Sequence, residues 1–225
     1  MSKDHLPKTH NDLVERLAQD LKPVRRVNPA YYFFFWVVTS LSIAVVATLI
    51  REDHNEIIAR LGDGYFMASL IVLIVSVIVT SWLAIKMSVP GEEPSKRLRV
   101  AMVATPVLIG VFILIYWVMR YPMQDEALDV SRGCTCTLTQ IGVAFFPLVF
   151  LTFLAGRLAP LNTFWTAIMI SLSSLLLSAA GAQMHCCMCL TDGCHLAVWH
   201  YIPIFFGTFI IALPLQYFLA RWKRK

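Results

Sequence analysis

Residues 65–85 read YFMASLIVLIVSVIVTSWLAI, a run without Asp, Glu, Lys or Arg. Crossing a hydrocarbon layer about 30 Å thick takes roughly 20 mostly apolar residues in a helix. A lipid-facing strand would alternate apolar and polar side chains, whereas this run is apolar all round, so it reads as a helix. Five further stretches repeat the pattern: Tyr31–Ile50, Val100–Met119, Leu138–Ala155, Asn162–Ala182 and Val198–Ala220. The expected fold is all-α, an integral membrane bundle of six transmembrane helices over residues 31–220. A polar segment, 1–30, precedes it and a basic tail, 221–225, follows.

Composition agrees. Of 225 residues, 58% are hydrophobic and 15% charged, against about 45–50% and 25% in ordinary soluble domains. These values exclude a soluble globular enzyme, a disordered chain and a secreted disulfide mini-protein. No apolar run follows Met-Ser-Lys at the start, so a cleaved signal peptide is not expected and the first span stays in the protein.

Orientation follows from Lys and Arg alone. Residues 1–30, the second and fourth loops and the tail hold 15 of the 19 basic residues; the other loops hold only Arg51, Arg60, Arg120 and Arg132. Both termini are therefore expected in the cytoplasm. The net charge of +5 is a topology signal, and no direct nucleic-acid contact is expected.

With that orientation, all six cysteines fall on the far side of the membrane. Cys134 and Cys136 close the third loop; Cys186, Cys187, Cys189 and Cys194 fill the fifth, among His185, His195, Met184 and Met188, with His200 just beyond. Two readings stay open. An even cysteine count in an oxidising compartment suits a disulfide framework, although the closest pairs would close strained rings. Thiolate, imidazole and thioether ligands together suit copper(I) or zinc, and Cys186 and Cys189 form a C-x-x-C shared by metal sites and thiol exchangers. The candidate metal or redox residues are Cys134, Cys136, His185, Cys186, Cys187, Cys189, Cys194 and His195.

The N-terminal segment has its own pattern. Asn11 caps an expected helix running to Lys22, which Pro23 ends. Leu13, Leu17 and Leu21, with Val14, make one apolar stripe. A helix this short is marginal alone in water. It is expected to lie on the membrane surface, with Arg25 and Arg26 near headgroups, or in a groove of a protein partner, which its mixed acidic and basic polar face suits better.

No Asp, Glu, Lys or Arg interrupts the spans, which argues against a coupled transporter or pump. No hydrolase motif is present, and no enzymatic activity is expected. The main alternative is a membrane thiol-disulfide oxidoreductase using paired outer cysteines.

Three segments resemble one family. Residues 12–26, DLVERLAQDLKPVRR, lead through Asn28-Pro29 into an aromatic first span. The fourth span begins after cysteines, contains Pro147 and ends in Arg157-Leu-Ala-Pro160. The fifth leads to His185-Cys186 and then to Leu196-Ala-Val-Trp199-His200. Together they resemble the NrsF-type anti-sigma factors, six-span bacterial inner-membrane proteins that hold down an extracytoplasmic-function sigma factor. The resemblance implies a sigma-factor contact in the cytoplasmic N-terminal segment, here Leu13, Val14, Leu17, Leu21, Arg25 and Arg26. It also implies that periplasmic cysteines sense heavy metal or oxidant, at Cys186 and at Cys134 or Cys136. The additional cysteines depart from the family pattern and favour metal chelation over a single disulfide switch, with copper the first expectation.

Overall fold

The computed structural model describes residues 27–51, 58, 61–90, 95–120, 130–185 and 193–222. Its long helices are α1 (Pro29–Arg51), α2 (Gly64–Ser88), α3 (Lys96–Arg120), α4 (Val130–Leu158) and α5 (Thr163–His185). The short α6 (Gly193–Leu196), a π-helical turn (Ala197–Tyr201) and α7 (Ile202–Trp222) then follow without a break. No strand occurs among the described residues. The expected N-terminal helix, with Leu13, Val14, Leu17, Leu21, Arg25 and Arg26, lies outside them.

Polar residues at the expected span edges start the helices. Asn28 Oδ1 accepts the Ala30 N–H at 3.0 Å and Asp63 Oδ1 the Phe66 N–H at 2.8 Å. Ser95 Oγ accepts the Leu98 N–H at 3.2 Å, and Asn162 Oδ1 the Trp165 N–H at 3.3 Å. Each satisfies a donor that a helix start leaves open.

Five helices are long and apolar enough to cross a membrane over the described residues: Pro29–Val46, Gly64–Ser88, Gly133–Leu158, Thr163–Met184 and Ala197–Trp222. The third expected span coincides with α3, which is helical over 25 residues but is not among these five.

Helix α5 is the centre. It packs mainly on α2, α7 and α4, and 83% of its span is buried, against 11% for α1. Its face-to-face contacts depend on small residues: Ser171, Ser173, Ser174, Ser178, Ala179 and Ala180 are all buried. Lipid gives packed helices no hydrophobic advantage, so close backbone approach at small residues supplies the attraction. Several hydroxyls inside the bundle are met locally: Ser76, Thr80, Ser81, Thr152, Ser174 and Thr208 donate to carbonyls one turn back at 2.6–2.8 Å. Helix α1 joins from outside through Trp36, fully buried, whose Nε1–H donates to the Pro147 carbonyl at 3.1 Å. Its Phe33 ring also meets Trp82 of α2 edge-on at 5.3 Å.

One expected boundary moves. The fourth span was expected from Leu138, with Cys134 and Cys136 in the loop before it, yet α4 begins at Val130 and both cysteines sit in its opening turns. They thus lie inside a helix of spanning length, not in the third loop where they were expected. Thr135 Oγ1 donates to the Ser131 carbonyl at 3.0 Å, so polar side chains there support the helix although they carry no apolar pattern.

Helix α4 ends at Leu158, and Ala159 takes a left-handed φ of 57° before Pro160, its N–H reaching the Gly156 carbonyl at 3.3 Å. A Cβ in that region costs about 1–2 kcal/mol, partly offset on removal by the freer unfolded chain of glycine. Ala159→Gly is predicted to stabilise the protein by about 0.5–1 kcal/mol. A thermal unfolding midpoint in detergent that stays level or falls would contradict this.

Candidate metal centre

The site lies where the start of α4 meets the π-helical turn, and the turn itself explains why. Pro203 has no N–H, so the Trp199 carbonyl loses the donor it would meet in a regular helix. The Ile202 N–H reaches back five residues to the Ala197 carbonyl instead. Helix α4 supplies what is missing. Thr137 Oγ1 donates to the Trp199 carbonyl at 2.8 Å, and Gln140 Nε2 to the His200 carbonyl at 3.0 Å. Such one-turn π-helices are rare and cluster at functional sites.

The contact is close because Gly133 admits the Trp199 ring. A Cβ built on Gly133 would lie 2.1 Å from Trp199 Cε2. Gln140 is fully buried and also accepts a hydrogen bond from the Ser178 hydroxyl of α5 at its own carbonyl. A second buried amide braces the same end. Gln183 Nε2 donates to the Tyr201 hydroxyl at 2.5 Å, and Ser69 Oγ lies 3.3 Å from Gln183 Oε1.

This scaffold brings Cys136, His195 and His200 together. Their sulfur and imidazole ligand atoms all lie within 4.8 Å of one another. The two histidine rings are 5.6 Å apart between centroids. Both histidines are 1% exposed, while Cys136 is half-buried. His200 Nδ1 stands 3.2 Å from Gln140 Oε1. Since Nε2 of that amide already donates to the His200 carbonyl, Oε1 can only accept, so Nδ1 carries the proton. The lone pair is left on Nε2, which is buried and has no hydrogen-bond partner among the described residues.

A thiolate with two imidazoles suits copper or zinc. In a tetrahedral site with ligand bonds of about 2.0–2.3 Å, neighbouring ligand atoms stand roughly 3.4–3.7 Å apart. The three atoms are thus near a liganding arrangement, and Gln140 Oε1 stands beside His200 Nδ1 where a carboxylate, backbone carbonyl or water usually orients a metal-binding imidazole.

Of the sequence candidates, Cys136 and His195 are in this cluster. Cys134 is exposed: two residues along a helix is about 200° around its axis, so it turns away from Cys136. His185 closes α5 and Cys194 lies in α6, but their side chains, and Cys186, Cys187 and Cys189 entirely, lie outside the described residues. His200 sits within the expected sixth span, where a count of Asp, Glu, Lys and Arg passes over it. Gln140, Gly133 and Pro203 were not singled out as site residues. A polar amide inside an apolar run was the available signal for Gln140.

Gly133→Ala is predicted to force α4 away from Trp199 and to cost about 1–3 kcal/mol, read as a lower unfolding midpoint in detergent. An unchanged midpoint would mean that the Trp199 ring moves freely.

The sequence model of one protein family, described as negative regulator of sigma F (NrsF), matches residues 17–222. No curated protein and no solved structure matches the chain. The match takes in all six cysteines, Gln140 and the histidines of the π-helical end, and by it the chain belongs to the NrsF family of negative regulators of a sigma factor.

Proposed function

We propose that the protein is a six-span inner-membrane anti-sigma factor that acts by binding rather than by catalysis. Residues 1–30 hold an extracytoplasmic-function sigma factor away from RNA polymerase on the cytoplasmic side. The cysteine-bearing end faces the periplasm, where heavy metal, copper first, or an oxidant triggers release. Family membership over residues 17–222 carries the sigma-factor part of this reading. The 15-to-4 distribution of basic residues carries the orientation.

The N-terminal contact follows from pattern. Leu13, Val14, Leu17 and Leu21 form the apolar stripe of an amphipathic helix that folds on its partner, with Arg25 and Arg26 beside it. The family match covers Leu17, Leu21, Arg25 and Arg26.

The sensing part rests on how α4 and α7 meet. At one end, Cys136 of α4 meets His195 of α6 and His200 of the π-helical turn that runs into α7. At the other, a Cβ on Gly156 would lie 3.1 Å from the Trp222 ring, which also meets Phe153 edge-on at 6.0 Å. A ligand that tightens one end therefore acts on a helix pair touching again beside the basic tail. Moving a population from 1:99 to 99:1 takes about 5.5 kcal/mol of differential affinity, and structural zinc in small peptides binds with roughly 10–16 kcal/mol. One site has energy enough.

The test is capture from the native host under reducing, metal-free conditions. Full-length protein is predicted to retain a sigma factor that a version lacking residues 1–26 loses, and Leu17→Asp in the full chain is predicted to lose it as well. Copper or oxidant added to the complex is predicted to release it. Equal capture by the truncated form would place the contact elsewhere; capture by neither form would favour a thiol-disulfide oxidoreductase.

A further inference from the structure

We propose that Cys136, His195 and His200 are the ligands of one soft-to-borderline cation, copper(I) or zinc(II), in a site complete in these three residues without the thiols of residues 186–194. This deepens the sensor reading above by naming the ligands; the site itself stands or falls on metal binding alone.

The geometry carries the assignment. Three donor atoms of the right types lie within 4.8 Å of one another on two separate segments of chain. Both histidines are 1% exposed within an apolar bundle. His200 has its ring nitrogens in two different conditions: Nδ1 is held by Gln140 Oε1, while Nε2 is buried without a partner among the described residues. A buried acceptor without a partner is costly to leave unmet, and a metal ion would meet it. The Gln140 side chain also holds the His200 carbonyl, and its backbone carbonyl receives the Ser178 hydroxyl, so ring and backbone of His200 are set by one residue of α4 whose backbone is tied to α5. Cys136, half-buried, gives the cation its entry. On binding, Cys136 releases its thiol proton to solvent, and His200 offers Nε2 while Nδ1 is held by Gln140 Oε1.

Copper takes a thiolate and two imidazoles as a trigonal set, whereas zinc adds a fourth ligand such as water. The two ions are separated by titration.

The experiment uses full-length protein in detergent with Cys186, Cys187, Cys189 and Cys194 each replaced by Ser. Cobalt(II) is predicted to bind with one equivalent and to give a thiolate-to-metal charge-transfer band. The band is predicted to vanish on adding Cys136→Ser or His200→Gln and to persist with Cys134→Ser. Competition against chelators of known affinity, with zinc(II) and copper(I) in separate titrations, is predicted to show binding weakened about 100-fold or more by Cys136→Ser. The cation bound more tightly by the parent protein is then the resident one. Cobalt binding that survives both Cys136→Ser and His200→Gln overturns the proposal, as does loss of all binding when only the four later cysteines are replaced. Because Cys136 is half-buried, its serine variant remains decisive if His200→Gln fails to fold. Sigma-factor capture by the same variants without metal reports on the anti-sigma reading separately.

Discussion

Helix α5 is enclosed by its neighbours, and small side chains are what make that enclosure possible. Ser171, Ser173, Ser174, Ser178, Ala179 and Ala180 leave room for α2, α4 and α7 to approach together. Where a bulky residue does face a partner, the partner yields: Leu175 of α5 lies against Gly207 of α7, where a Cβ would stand 3.1 Å from Leu175 Cδ1. In a hydrocarbon surrounding, such contacts replace the hydrophobic drive that water would provide. Both α4 and α7 lean on this helix, so the geometry between them is inherited from it.

Against that fixed frame, the π-helical turn is a local irregularity met by a tertiary answer. An unsatisfied backbone carbonyl within apolar surroundings is costly, and Pro203 removes the donor that the Trp199 carbonyl would have used. Thr137 and Gln140 of α4 donate to the carbonyls of Trp199 and His200. The same repair that makes the turn tolerable presses α4 against it. Gly133 gives way to the Trp199 ring, and Cys136 comes to lie among His195 and His200. The candidate metal site is thus a by-product of the packing solution, with Gln140 acting on both the backbone and the ring of one residue.

The Cys136, His195 and His200 cluster and the contact beside the basic tail lie toward opposite ends of α4. The cluster joins α4 to α6 and the turn before α7, and Gly156 and Phe153 of α4 meet Trp222 of α7 at the far end. Arg157 lies over the Phe153 ring at 4.6 Å, so a cation at the end of α4 borders the aromatic contact. Packed interiors move between discrete arrangements more readily than they deform, which suits a two-state response.

The amino-acid sequence alone determined the helices and their ends to within a few residues, because uninterrupted apolar runs leave a backbone in lipid no other choice. The caps at Asn28, Asp63, Ser95 and Asn162 came from the structure, although their residue types suit that place. The sequence also determined the family, since the motifs carrying that resemblance are local. It missed the early start of α4, whose residues Ser131 to Thr137 carry no apolar periodicity and are helical because Gly133 and Thr137 pack on Trp199. It could not choose between Cys134 and Cys136, which differ only in the direction a helix turns them. Residues 60 positions apart, Gln140 and His200, meet only through the packing of α4 and α7 on α5. Ligand types are legible in a sequence; which of them share a site depends on distances that only the folded bundle sets.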